Sequence, residues 1–174
     1  KKIYEELGGS SPILKLTNEQ SATLEAKLNQ TQVEDEYKCF VVMRCWNPRA
    51  KEVVKNVQSF SPDEIILMPL YPQYSAATSG SSIKEWKDVC KKINYNIKTS
   101  TICCYPTDQN FINAHTKEII KKIKDLKNFK LIFSAHGLPE KNIKRGDPYQ
   151  WQVERSVKKI VENLNDKNLD WILS

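Results

Sequence analysis

Short apolar runs alternate with amphipathic helical stretches along this 174-residue chain, with brief connections between them. Neighbouring strands joined through helices must run parallel, because a parallel pair needs a crossover of a dozen or more residues. Such crossovers are right-handed. Thr17-Asn18-Glu19-Gln20 reads as a capping-box start for a helix to about Asn29. Tyr37–Met43 (YKCFVVM) is a β-branched and aromatic run of strand length. A helix over Arg49–Phe60, with Val53, Val57 and Phe60 on one stripe, closes at Ser61-Pro62-Asp63 and leads to a buried strand at Ile65–Met68. Ser81 or Ser82 then caps a helix whose Ile83, Trp86, Val89, Cys90 and Ile93 recur at helical spacing and are expected to face inward. Ile97–Ile102 is the next strand. Thr107-Asp108 opens a long helix with Phe111, Ile112, Ile119 and Ile123 inward, followed by a strand at Lys130–Phe133. Asp147 as N-cap and Pro148 at the first helical position start a helix with Val153, Val157, Ile160 and Leu164 inward, and Trp171–Leu173 begins a last strand. The expected fold is α/β, with a domain transition near Cys103–Asp108, where the third strand gives way to the long helix.

Composition excludes several classes. Lys+Arg outnumber Asp+Glu by 27 to 21, a net charge of +6. The lysines are scattered over helix faces rather than clustered with aromatics along a groove, so no nucleic-acid partner is expected. The charge suits an anionic small molecule or an acidic membrane surface equally well. Five cysteines, with no C-x-x-C pair and no zinc-ligand spacing, argue against a disulfide framework and for a reducing compartment. Cys39, Cys45 and Cys90 read as small core residues, whereas adjacent Cys103-Cys104 is a candidate soft-metal or redox pair. No apolar run approaches the roughly 20 residues that span a bilayer, so any membrane contact is expected to be peripheral.

Chemistry concentrates in two loops. Leu131–Gly146 reads LIFSAHGLPEKNIKRG and continues into Asp147-Pro148-Tyr149. His136 follows a strand and two small residues, and ligands of open parallel sheets sit outside the carboxyl ends of the strands. An imidazole there can bind a transition metal or take a proton near neutral pH. It can equally be a loop side chain that bonds a nearby carbonyl. Glu140, after Leu138-Pro139 in the same loop, reads as solvated. Glu64–Ser82 reads EIILMPLYPQYSAATSGSS: a strand, a loop of tyrosines and small hydroxyl residues, then a helix start. Tyr71 and Tyr74 offer aromatic surfaces, and Ser75, Thr78, Ser79 and Ser81 offer hydroxyls. The helix N-terminus beneath them favours an anion, although a Ser-rich capping loop would look the same. The other histidine, His115, falls mid-helix between Phe111 and Ile119 and reads as structural.

PLYPQYSAATSGSS and FSAHGLP…RGDPYQWQVE together resemble ferrochelatase, the enzyme that inserts ferrous iron into a porphyrin to make haem. Weaker matches lie at Tyr4-Glu5, Gly8–Ile13 (GGSSPI), Arg44 in VMRCWNP, and Ser100–Thr107 (STICCYPT). The resemblance implies two similar Rossmann-like domains with parallel sheets flanked by helices, both incomplete here. Residues 1–106 would be the C-terminal part of the first and 107–174 the N-terminal part of the second, which carries His136. It implies His136 as catalytic residue and iron ligand, with its usual glutamate partner on a later helix. Tyr71 matches a pocket tyrosine on the metal-access side, and Ser75 belongs to the same loop. Tyr105 stands where many relatives have a porphyrin-lining tryptophan. Tyr4 and Ser11 match positions that approach a propionate, or are simple caps. Arg44 matches an arginine close to the site, although Cys45 replaces the usual tyrosine beside it, and a solvent-facing Arg would read the same. Ala76 stands where iron–sulfur members have a cysteine ligand, so no such cluster is expected. No organic cofactor is implied. Porphyrin and ferrous iron are the implied partners, in a cytoplasmic protein with room for peripheral membrane association. A relative using coproporphyrin or another divalent metal, or a non-catalytic porphyrin-binding fragment, would share these motifs.

Overall fold

A computed structural model describes residues 5, 9, 11–31, 34–166 and 168–174. Two compact units emerge: Lys1–Asp63 with Glu85–Asn96, and Glu64–Lys84 with Ile97–Ser174. This grouping does not follow chain order as a division at 106/107 would; Cys103–Asp108 lies inside the second unit.

In the first unit, α1 spans Ile13–Thr31 and α2 spans Ala50–Phe60. Helix α1 begins earlier than the Thr17 motif suggests. Pro12 suits the first turn of a helix, its carbonyl accepts from Leu16 N at 3.0 Å, and Ser11 Oγ accepts from Ile13 N at 3.4 Å. Thr17 is interior, its hydroxyl donating back to the Ile13 carbonyl at 2.7 Å. Helix α2 matches expectation closely. Arg49 caps it, with Glu52 returning a carboxylate to the Arg49 N–H at 3.1 Å, and Ser61 ends it in the left-handed region at φ 55. Ala50, Val53, Val54 and Val57 form its buried stripe.

The strand expected at Tyr37–Met43 does not form among the described residues; the segment has no regular secondary structure. Helix side chains have taken the backbone groups a neighbouring strand would use. Asn29 accepts from Tyr37 N and donates to Tyr37 O, both at 2.8 Å, and Glu25 accepts from Cys39 N at 2.7 Å. That N–H first, and then Lys38, hold the Glu25 carboxyl below the usual carboxylate range.

In the second unit, β1 (Glu64–Leu67) pairs in parallel with β2 (Lys98–Thr101), Ile65 opposite Thr99 and Leu67 opposite Thr101. Separately, β3 (Leu131–Phe133) pairs in parallel with β4 (Trp171–Leu173). A π-helical turn, Ala76–Gly80, runs into α3, Ser81–Lys92, within which the boundary between the units falls. On α3 only Trp86 of the expected inward stripe is buried, and Ile93 is exposed. Helix α4 (Gln109–Ile123) is capped by Asp108, whose carboxylate accepts from Asn110 N and Phe111 N at 3.0 Å. A five-residue helix, α5 (Glu140–Lys144), occupies the loop after His136, and Glu140 is exposed and paired with Lys144. Helix α6 spans Tyr149–Leu164 and packs along α4. Buried Ile112 and Thr116 lie on one helix, and Val153, Ser156, Val157 and Ile160 on the other.

The strands were expected to be buried, and they are only half so. Ile65, Leu67, Leu131, Phe133 and Leu173 are partly covered, while Ile66, Ile132 and Ile172 are 55%, 62% and 47% exposed. Continuous apolar runs belong to parallel sheets covered on both faces. Here Ile66, Ile132 and Ile172 lie open, and all four residues of β2 are exposed, so both strand pairs are incompletely covered among the described residues.

Candidate active site

The loops after β1, β2 and β3 all leave the carboxyl ends of parallel strands, where open α/β sheets place ligands. The first two are tied together by backbone: Ile102 N donates to Leu67 O at 2.9 Å and Tyr105 N to Pro72 O at 2.8 Å. Both loops are then fastened to helix α6 by its buried polar residues. Gln152 Oε1 accepts from Tyr74 N at 2.7 Å, Gln73 Nε2 donates to Ser156 Oγ at 2.9 Å, and Ser156 Oγ donates to the Pro106 carbonyl at 2.7 Å. Gln152 and Ser156 sit four residues apart beside the apolar stripe of Val153, Val157 and Ile160. Sequence reading took that stripe and passed over them. Polar residues recurring at helical spacing along an inward face were the available signal.

Asp147 is the second fastening. One carboxylate oxygen accepts from Ser75 Oγ at 2.9 Å and from Ala76 N at 2.8 Å, and the other from Tyr149 N at 3.1 Å. At this helix start the Asp147 carboxylate accepts from the Ala76 N–H. Ser75 is fully enclosed, donating to Asp147 and accepting from Ala77 N at 3.1 Å. These two bonds make it a fastening of the loop. Gly80 permits a close approach: a Cβ there would lie 2.5 Å from the Tyr74 hydroxyl.

The remaining aromatics divide by exposure. Tyr71 is 48% exposed, and Tyr74 is half-buried over the π-helical turn. Tyr105 stands edge-on to Phe111, centroids 5.9 Å apart, and burial pushes its phenol above the ordinary range. His115 is exposed and stands edge-on to Phe111 at 4.6 Å.

His136 follows Ala135, whose N–H donates to Ser174 O at 2.8 Å, extending the β3–β4 ladder to its neighbour. The imidazole is exposed and forms no hydrogen bond among the described residues. It opens the connection whose far end, Asp147, is anchored to Ser75. Among the described residues no group of three or more His, Cys, Asp or Glu could hold a metal ion.

Two expected site residues belong to the first unit. Arg44 lies 3.3 Å from Glu85, which also receives Arg49 through Nε at 3.0 Å and Nη2 at 2.6 Å. Ser11 is exposed and serves the start of α1. Tyr4 lies outside the described residues.

Comparison with known proteins bears on the whole length. A sequence model of the ferrochelatase family matches residues 1–174. The ferrochelatase of Pelagibacter ubique (strain HTCC1062) is 85% identical over 174 residues, covering 100% of this chain and 51% of that protein. The ferrochelatase of Rickettsia bellii (strain OSU 85-389) is 46% identical over 170 residues, covering 98% of this chain and 47% of that protein. That of Wolbachia sp. subsp. Drosophila simulans (strain wRi) is 49% identical over 174 residues, covering 98% and 55%. The chain spans about half the length of the curated relatives it matches. With parallel strand pairs, loops gathered at their carboxyl ends and a family match over every residue, the chain belongs to the ferrochelatase family.

Proposed function

We propose that the full-length protein inserts ferrous iron into protoporphyrin IX, with His136 as iron ligand and proton acceptor. The observation that supports this most is family membership over the whole chain, together with an exposed imidazole at the carboxyl end of β3. Insertion makes three physical demands. The macrocycle must be held against flat apolar or aromatic walls, ferrous iron must be handed over partly dehydrated, and two pyrrole protons must be removed. Imidazole suits divalent iron and is a competent base. Its two tasks compete for one lone pair, so iron is held only until the porphyrin nitrogens take it. Tyr71 and Tyr105 supply aromatic surface, for which the faces and edges of a macrocycle are suited partners. Tyr4 and Ser11 are assigned to a propionate as hydroxyl donors, and Arg44 to substrate binding close to the active site.

The enzyme is read as a lyase of the cytoplasm that works without an organic cofactor and without an iron–sulfur cluster, since Ala76 occupies a ligand position of that cluster. No helix among the described residues is long and apolar enough to cross a membrane. The net charge of +6 favours peripheral contact with an acidic bilayer. The test is His136→Ala in the full-length enzyme beside His115→Ala, with insertion followed by porphyrin absorption. His136→Ala loses nearly all turnover with unchanged circular dichroism, and His115→Ala keeps most of it. Equal and modest losses would overturn the assignment. The same protein, purified without oxygen, contains no acid-labile sulfide.

A further inference from the structure

We propose that Cys103 and Cys104 form a vicinal dithiol that closes reversibly to an intrachain disulfide. Their sulfurs lie 3.0 Å apart. The backbone on either side is pinned by the bonds from Ile102 N to Leu67 O and from Tyr105 N to Pro72 O, so the pair is held in place. Cys103 is exposed to an incoming reagent, whereas Cys104 is half-buried. The buried amide of Gln152 points its Nε2 at Cys104 Sγ from 3.7 Å, a donor that supports negative charge there. The Cys104 sulfur, with burial adding to it, pushes the Cys103 thiol above its usual range. Cys39, Cys45 and Cys90 all belong to the other unit. No third His, Cys, Asp or Glu joins this pair as a possible metal ligand among the described residues, and two adjacent thiols are suited to thiol–disulfide exchange.

The step balances with an external disulfide as oxidant. One cysteine sulfur attacks it and expels a thiolate, leaving a mixed disulfide. The second cysteine sulfur attacks the chain-side sulfur of that bond and expels the other thiolate. The chain loses two electrons and two protons, and the oxidant gains them as two thiols. Adjacent Cα atoms stand about 3.8 Å apart across a trans peptide, short of the roughly 4.4–6.8 Å usual for disulfides. The closed ring is therefore strained and easily reduced, which suits a labile switch and not a structural staple.

The probe is dithiodipyridine, added to reduced full-length protein with the products read by peptide mass. The peptide holding both cysteines should lose two hydrogens, retain no adduct and return to its starting mass with excess glutathione. Cys103→Ser should keep a stable adduct on Cys104. Separate adducts on Cys103 and Cys104, or pairing of either with Cys39, Cys45 or Cys90, would overturn the proposal. The readout is thiol chemistry, so its outcome is independent of whether the enzyme inserts iron.

Discussion

Asp147 concentrates more consequence than any other side chain in the second unit. Its carboxylate receives the Ser75 hydroxyl and the Ala76 and Tyr149 amides. Hydrogen bonds to a charged acceptor are stronger than neutral ones, and a donor left unsatisfied on burial costs about 1–3 kcal/mol. Asp147→Ala in the full-length protein should therefore lower stability by about 1–3 kcal/mol. It should also speed hydrogen exchange at the Ala76 amide, while exchange across α4 stays slow. Unchanged exchange at Ala76 would show that the carboxylate is not the anchor. Part of this was legible beforehand: Asp147-Pro148 reads as a helix start, and Asp147 does accept from Tyr149 N, although the cap position falls one residue later, on Pro148. Its reach to Ser75, 72 residues earlier, was not legible, because nothing local in sequence signals a partner so distant. The bond from Ser75 was hidden for the same reason, since a serine that fastens a loop and one in any other setting look alike until the acceptor is known.

Helices were read more securely than strands because their evidence is local. The α2 stripe and the Asp108 cap of α4 follow from spacing and capping chemistry alone. A strand also needs a neighbour. Tyr37–Met43 has the residues of one, yet Asn29 and Glu25 on α1 take its backbone groups. Helix α5 was missed because five residues show no periodicity. The Glu25 contact gives an element-scale prediction. With its carboxyl held below the usual range by the Cys39 N–H and Lys38, Glu25 stabilises the fold fully above its unfolded value. That contribution is lost as pH falls through the lowered folded value. Glu25→Gln should thus destabilise the protein at neutral pH, and the difference from wild type should shrink on acidification in paired denaturant titrations. Added salt should weaken the Lys38 part and spare the amide part. A gap that widened at low pH would contradict this reading.

At the scale of the whole molecule, the open faces of the two strand pairs matter most. Ile66, Ile132 and Ile172 are exposed beside Met68, Ile102 and Trp171, themselves 40% or more exposed. Unpaired strand edges and apolar faces promote association. Residues 1–174 expressed alone should therefore self-associate, giving a broad, concentration-dependent peak in size-exclusion chromatography with light scattering, and should lack insertion activity. A monodisperse monomer with a cooperative melt and measurable turnover would sink that expectation. Family membership was legible from the long motifs, whereas the grouping of residues 85–96 with the first unit depends on contacts made in three dimensions.

The Asp147 anchor also bears on chimaeras, since it joins the two longest motifs of the chain across 71 intervening positions. They cannot be exchanged piecemeal between relatives. A graft of Tyr71–Ser82 carries the donors but not the acceptor, and a graft of Gly146–Glu154 carries the acceptor but not the donors. Either transplant succeeds only in a host that already supplies the missing half, so the two segments behave as one heritable part.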